Sequence, residues 1–380
     1  MRHPRERLAE LIVGYSLDLR PGQIVRIDGS DSGAPLVLAL YEAALSAGAL
    51  AYTNVTLEGL SELLVKRGSA EQLTYVAPLE WDEIELVDAM VTVWSELNTR
   101  SFSLVDPDRQ QRHLAARREL SNRYWDRIGA GEARWCGTLH PTHAHAQDAE
   151  MSLADYEDFV YGACHVRDGE DPVAHWSGVS AELQARADAL ADVRELRIVG
   201  PDTDLTLGVE GRRWLVADGK TNLPDGEIFT SPVEGATEGE IRFTFPAIFN
   251  GREVQDVRLR FEAGRVVSSE ASIGEDYLKA LLAMDDEAAV LGEAAFGLNY
   301  EIDRFTRNIL FDEKIGGTIH VALGAGFPEA GGRNRSGLHW DLICDLRAEG
   351  EVYADGELVW RAGSFVNAAE PVPETIVART

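Results

Sequence analysis

Short apolar runs alternate with amphipathic stretches through the first half of the chain. QIVRIDG (Gln23 to Gly29), LAYTNV (Leu50 to Val55), MVTVWS (Met90 to Ser95) and RWCGTL (Arg134 to Leu139) have the length and side-chain content of strands. The segments Glu6 to Leu17, Leu36 to Ala47, Glu80 to Met90 and the arginine-rich Arg109 to Arg127 read as helices between them. This βαβ rhythm predicts a parallel sheet covered by helices. Met151 to Val193 reads as two further helices, with Ser180 as a cap signal near the start of the second.

Beyond Arg194 the pattern changes. ELRIVG, DLTLGVE, EIFTSP, EIRFTFP, VRLRFEAGRVV and EVYADGELVW are strands joined by Gly- and Asp-rich turns, and Asp276 to Met284 is one of few helices. The chain has 380 residues, more than one core usually supports. The expected architecture is therefore an α/β N-terminal domain with a parallel sheet over residues 1–193, followed by a β-rich α+β C-terminal domain over 194–380.

Composition narrows the partners. With 64 acidic against 36 basic residues the formal net charge is -28, a field that repels phosphate backbones and anionic membrane surfaces. Nucleic acid and membrane are not expected partners, whereas cationic or neutral substrates are favoured. Lysine occurs only at 66, 220, 279 and 314, with arginine supplying the other positive charges. Cys136, Cys164 and Cys344 are widely spaced and form no C-x-x-C pair, which points to a reducing, cytoplasmic setting and away from a thiolate zinc site. MRHPRERLAELIVGY shows no signal-peptide core, and the apolar stretch Ala34 to Thr53 holds Gly48 and Tyr41 and reads as a helix running into a strand.

Candidate chemistry gathers in the second half. In GLHWDLICD, His339 and Asp341 stand two residues apart on a strand-like run, so an imidazole and a carboxylate share one face. In TIHVALG, His320 shares its face with Thr318 and Ala322. Glu227 in PDGEIFTSP, Glu293 in LGEAAFGLN and Glu313 in FDEKIGG could complete a constellation. Each has a plain alternative: a core histidine bonded to a carbonyl for His320, a solvated turn residue for Glu227, a place in the first turn of a helix for Glu293, and an exposed loop charge beside Asp312 and Lys314 for Glu313. Taken together, the carboxylates and two histidines exceed what one catalytic zinc needs and match two divalent ions sharing a carboxylate. Mixed imidazole and carboxylate donors suit zinc, cobalt or manganese. A second histidine group, His140, His143 and His145 in HPTHAHAQ, lacks a clear fourth partner and reads as solvated or cavity-lining.

The stretches PDGEIFTSP, LGEAAFGLN, FDEKIGGTIHVALG and SGLHWDLICDL, in that order, resemble the M29 family of metallo-aminopeptidases, and the likeness extends over nearly the whole chain. The resemblance implies a peptide-hydrolysing homodimer whose C-terminal domain binds two divalent metal ions through Glu227, Glu293, His320, His339 and Asp341. It makes Glu293 the bridging carboxylate or catalytic base and puts Glu313 in or beside the metal shell. One position departs from the family: a tyrosine thought to assist the tetrahedral intermediate is replaced by Phe327. Loss of such a donor leaves Tyr300 or a metal ion as substitutes, or a catalytically weakened member. The runner-up reading is a mononuclear iron, ring-cleaving dioxygenase of the dihydroxypyridine type, for which His320, His339 and Asp341 alone would suffice.

Overall fold

The computed structural model describes residues 2–366. The described chain falls into two compact, interleaved units. The first runs up to Ser180 and takes in Ala217–Asp225 and Thr306–Phe311; the second holds Ala181–Val216, Gly226–Phe305 and the chain from Asp312 onward.

The first unit is an α/β layer. Its strands lie in the order Leu50–Thr56, Ile24–Ser30, Ala89–Trp94, Arg134–Leu139 and the two-residue Asn222–Leu223, every neighbouring pair parallel. Helices Ala34–Ser46, Pro78–Leu86 and Pro107–Gly129 connect successive strands, as parallel pairing demands. Leu8, Ile12, Val25, Ile27, Leu36, Leu40, Val91 and Trp176 pack into one core.

Three local expectations change. The helix expected over Glu80 to Met90 stops at Leu86, because Asp88 is held against Ile24: the Ile24 amide donates to its carboxylate at 2.7 Å and its own amide donates to the Ile24 carbonyl at 2.9 Å. Ser180 does not cap a helix. The helix spans Pro172–Ala189, Asp171 accepts from the Ala174 amide at its start, and the Ser180 hydroxyl donates to Asp218 at 2.6 Å. The first helix is α-helical over Pro4–Leu11 and widens into a π-helical turn over Ile12–Ser16, closed by the Leu17 amide on the Ile12 carbonyl.

The second unit is built from antiparallel sheets. An eight-stranded sheet includes Glu195–Gly200, Thr203–Gly208, Thr237–Phe243, Val257–Glu262 and Glu351–Ala354. A five-stranded sheet runs His339–Asp345, Thr318–Gly324, Leu291–Gly297, Glu227–Thr230 and a short edge strand at Leu215–Ala217. Both central strands of the latter are buried along their whole length. One face carries Ile228, Phe296, Ile319, Val321, Trp340 and Leu342 into an apolar core. The opposite face carries charge.

Candidate metal centre

Cross-strand register sets the charged face. Gly297 pairs with Glu227, Ala295 with His320, Glu293 with Ala322, Ala322 with Asp341, and Gly324 with His339. Because alternate residues share a face, Glu227, Glu293, His320, His339 and Asp341 all project to one side. Gly297, Ala295, Ala322 and Gly324, which stand directly opposite the candidate ligands, are small, while Phe229 and Ile343 are the larger residues of that face. Glu293 owes its direction to a bulge. Leu291 pairs with Leu323 on the apolar side, and the extra residue Gly292 shifts the register so that Glu293 turns to the ligand side. A side chain at Gly292 would place Cβ 2.0 Å from the Ala325 carbonyl oxygen, so that bulge requires glycine.

The six candidate side chains converge. Glu293 lies between the imidazoles, with Oε1 3.7 Å from His320 Nε2 and Oε2 3.3 Å from His339 Nε2. Glu227 Oε2 is 3.6 Å from His320 Nε2, and Asp341 Oδ1 is 3.7 Å from His339 Nε2. Two trios place one donor atom each within 4.8 Å of one another: Glu293, His339 and Asp341, and Glu313, His320 and Asp341. Asp341 belongs to both. Glu227 and Glu293 are buried, so neither is the solvated turn charge or the helix-end charge that each stretch alone would suggest. Glu313 is largely buried too, between a buried Asp312 and a buried Lys314. Lys314 was hidden in a polar-looking loop sequence; its ammonium contacts Glu313 and lies 3.6 Å from Glu227 Oε1.

Electrostatics follow from this crowding. Burial opposes charge on the imidazoles, yet contact with Glu293 and the neighbouring carboxylates holds His320 up at about 9, and Asp341 with Glu293 holds His339 up at about 10. Burial also works against Glu293, but the two imidazoles outweigh it and keep that carboxyl at about 2. Burial wins at Glu227 and Asp341, pushing Glu227 well above its usual range and Asp341 up to about 6.

The donor set fits divalent ions. Glu227 Oε2 and Asp341 Oδ1 are buried and accept no hydrogen bond, a costly state for oxygen atoms unless a cation is to satisfy them. His339 Nδ1 lies 2.9 Å from the Ala325 carbonyl, an arrangement that commits that nitrogen as donor and makes Nε2, which faces Glu293 and Asp341, the nitrogen that would give up its proton to an ion. Both trios are free of cysteine, and all three cysteines are buried free thiols. Phe327 packs edge-on against the His339 imidazole at 5.5 Å and against Phe229 at 4.9 Å, its amide bonded to Ser231. The Tyr300 hydroxyl donates to the Gly363 carbonyl at 2.9 Å.

The second histidine group is different in kind. His145 is buried, paired with Glu96 at 2.9 Å and stacked on Tyr156, so it is neither solvated nor part of either metal-ligand trio. His143 is exposed.

The sequence profile of the thermophilic metalloprotease family (M29) matches residues 2–365. Aminopeptidase 2 of Geobacillus stearothermophilus is 27% identical over 406 residues, covering 95% of this chain and 97% of that protein. Wild-type AmpT from Thermus thermophilus has a solved structure similar to this one with a TM-score of 0.85 at 25% identity, covering 96% of this chain and 99% of that chain. The 2,5-dihydroxypyridine dioxygenase of Pseudomonas putida KT2440 shares the fold, with a TM-score of 0.61 at 15% identity over 97% of this chain and 99% of that one.

Proposed function

This chain belongs to the thermophilic metalloprotease family M29, and from that premise we propose that it is a metal-dependent aminopeptidase, releasing N-terminal residues from peptides at the Glu227 to Asp341 cluster. The observation that carries this reading is the position of Glu293, a buried carboxylate with one oxygen toward each imidazole. Glu227, His320 and one Glu293 oxygen would hold one divalent ion; His339, Asp341 and the other Glu293 oxygen would hold a second. Glu313 would support the His320 side. Zinc, cobalt and manganese all suit these donors. Divalent ions there supply Lewis-acid polarisation of a carbonyl and lower the pKa of water toward neutrality.

The remaining work belongs to the chain. Glu293, kept ionised between the imidazoles, is either the carboxylate shared by the ions or the base that takes the proton from the attacking water and passes it to the departing amine. The Ala325 carbonyl keeps the His339 ring in one orientation. The surplus of carboxylate favours a substrate that enters with a charged ammonium group at its N-terminus. A homodimer is the accompanying expectation of the family resemblance, and a cytoplasmic setting that of the cysteine pattern.

The dioxygenase reading needs only His320, His339 and Asp341 around one iron. It leaves Glu227, Glu293 and Glu313 as buried negative charges without a task, so the hydrolase is the better account of the donors. The test is Glu293→Gln, a change that keeps the side-chain shape. Turnover of aminoacyl anilides is expected to fall by roughly a thousandfold; ions lost with it would mark Glu293 as the shared ligand, ions retained would mark it as the base, and retained turnover would remove it from both roles.

A further inference from the structure

Lys314 is one of only four lysines in the chain, and its side chain is 0% exposed. Its backbone is fixed independently of the charge cluster: the Lys314 carbonyl accepts from the Asn299 amide at 3.1 Å, and the Gly316 amide donates to the Asn299 carbonyl at 3.0 Å. The neighbouring carbonyls of Glu313 and Ile315 close over Gly297, where an added Cβ would lie 3.1 Å and 2.3 Å from them. The root of the side chain is thus seated against the end of the Glu293 strand, and its ammonium reaches both Glu313 and Glu227 Oε1. The second oxygen of Glu227, Oε2, accepts no hydrogen bond and is the one that faces His320 Nε2.

We infer that Lys314 is a positioning residue that stands in for part of the ionic charge before ions arrive, holding Glu227 and Glu313 together in the metal-free protein and reserving Glu227 Oε2 for the ion. The physical problem it solves is general. Carboxylates crowded on a dry face repel each other, and a buried charge without a partner is strongly destabilising. A fixed ammonium bound to one oxygen of each carboxylate relieves the repulsion without consuming the oxygen that an ion needs. The inference rests on the metal-centre reading above, but its signature lies in the metal-free form.

The experiment compares melting temperatures of the wild type, Lys314→Met and Lys314→Arg, each stripped with chelator and then reloaded with Zn²⁺, with bound zinc counted in parallel. Lys314→Met is expected to lower the metal-free melting temperature by roughly 6–12 °C and the zinc-loaded one by much less, so the zinc-induced rise at least doubles. Lys314→Arg, which keeps the charge, is expected to retain the wild-type rise. If the metal-free methionine variant does not fold, Lys314→Met combined with Glu313→Gln removes one carboxylate with the ammonium and is expected to recover part of the loss. Equal losses in the metal-free and loaded forms of Lys314→Met, with normal zinc uptake by the wild type, overturn the role given to Lys314 and leave the metal centre standing. Wild-type protein that takes up no zinc overturns both.

Discussion

Asp28 on the parallel sheet and Glu293 on the antiparallel sheet are both carboxylates with little access to water, but their surroundings differ. Arg26 serves Asp28 through Nη2 at 3.0 Å and Glu83 through Nη1 at 2.9 Å, and His145 serves Glu96 at 2.9 Å. Each of these three carboxylates has a cation or donor beside it, and even Asp28 Oδ1, which accepts no hydrogen bond, lies 2.9 Å from Arg26 Nε. Around Glu293, four carboxylates meet two imidazoles and one ammonium, and two buried oxygens stay without a hydrogen bond. In the first set each carboxylate lies against a fixed cation or donor, an arrangement that serves stability; in the second, four carboxylates converge on one face, a cluster of donors that an added cation would satisfy. A histidine beside a carboxylate is thus not in itself a metal site. What separates His145 from His320 is the number of carboxylates that converge on it.

This contrast can be broken by protons. In the metal-free protein His320 at about 9 and His339 at about 10 both lie above the ordinary histidine value. Their raised values stabilise the metal-free fold fully below about pH 6.5, and that contribution is lost as the pH rises through 9 to 10. Ion uptake runs in the opposite direction, because an imidazole ligand must be neutral. Loading at pH 7 is expected to expel at least two protons, so overall ion affinity rises roughly a hundredfold per pH unit. Calorimetry in two buffers of different protonation heat reads the number directly. Loading that releases no protons would mean the histidines are not ligands.

A smaller effect sharpens the comparison from the other side. His145→Ala removes a buried ring and the partner of Glu96, and is expected to cost about 2–3 kcal/mol of stability in a denaturation curve. Bound metal per chain is expected to stay the same. A fall in ion content would place His145 in the metal site and erase the distinction between the regions.

Much of this was legible in the chain itself. His339 and Asp341 do share a face, and the β-rich second half and the parallel first half both follow from periodicity. The rest depends on long-range geometry. Taken alone, the stretch around Glu293 also fits the first turn of a helix, because nothing local announces the Gly292 bulge that turns it toward Ala322. Lys314 sits in FDEKIGG, a polar stretch whose burial depends on Glu227 from a distant strand. Asp171 caps its helix nine residues before the end of the first unit's main run, where the Asp-Pro pair was the available signal and Ser180 the misleading one. The return of Ala217–Asp225 and Thr306–Phe311 to the first unit has no local cause in composition. Which carboxylate lies between the imidazoles is likewise a matter of register, not of motif.

The central claim is that Glu293 bridges two ions, and anomalous scattering from crystals soaked in Zn²⁺, Co²⁺ or Mn²⁺ measures it most directly. Two peaks per chain are expected, one beside Glu227 and His320 and one beside His339 and Asp341, with Glu293 between them. A single peak held by His320, His339 and Asp341, with Glu227 and Glu293 uncoordinated, would contradict it.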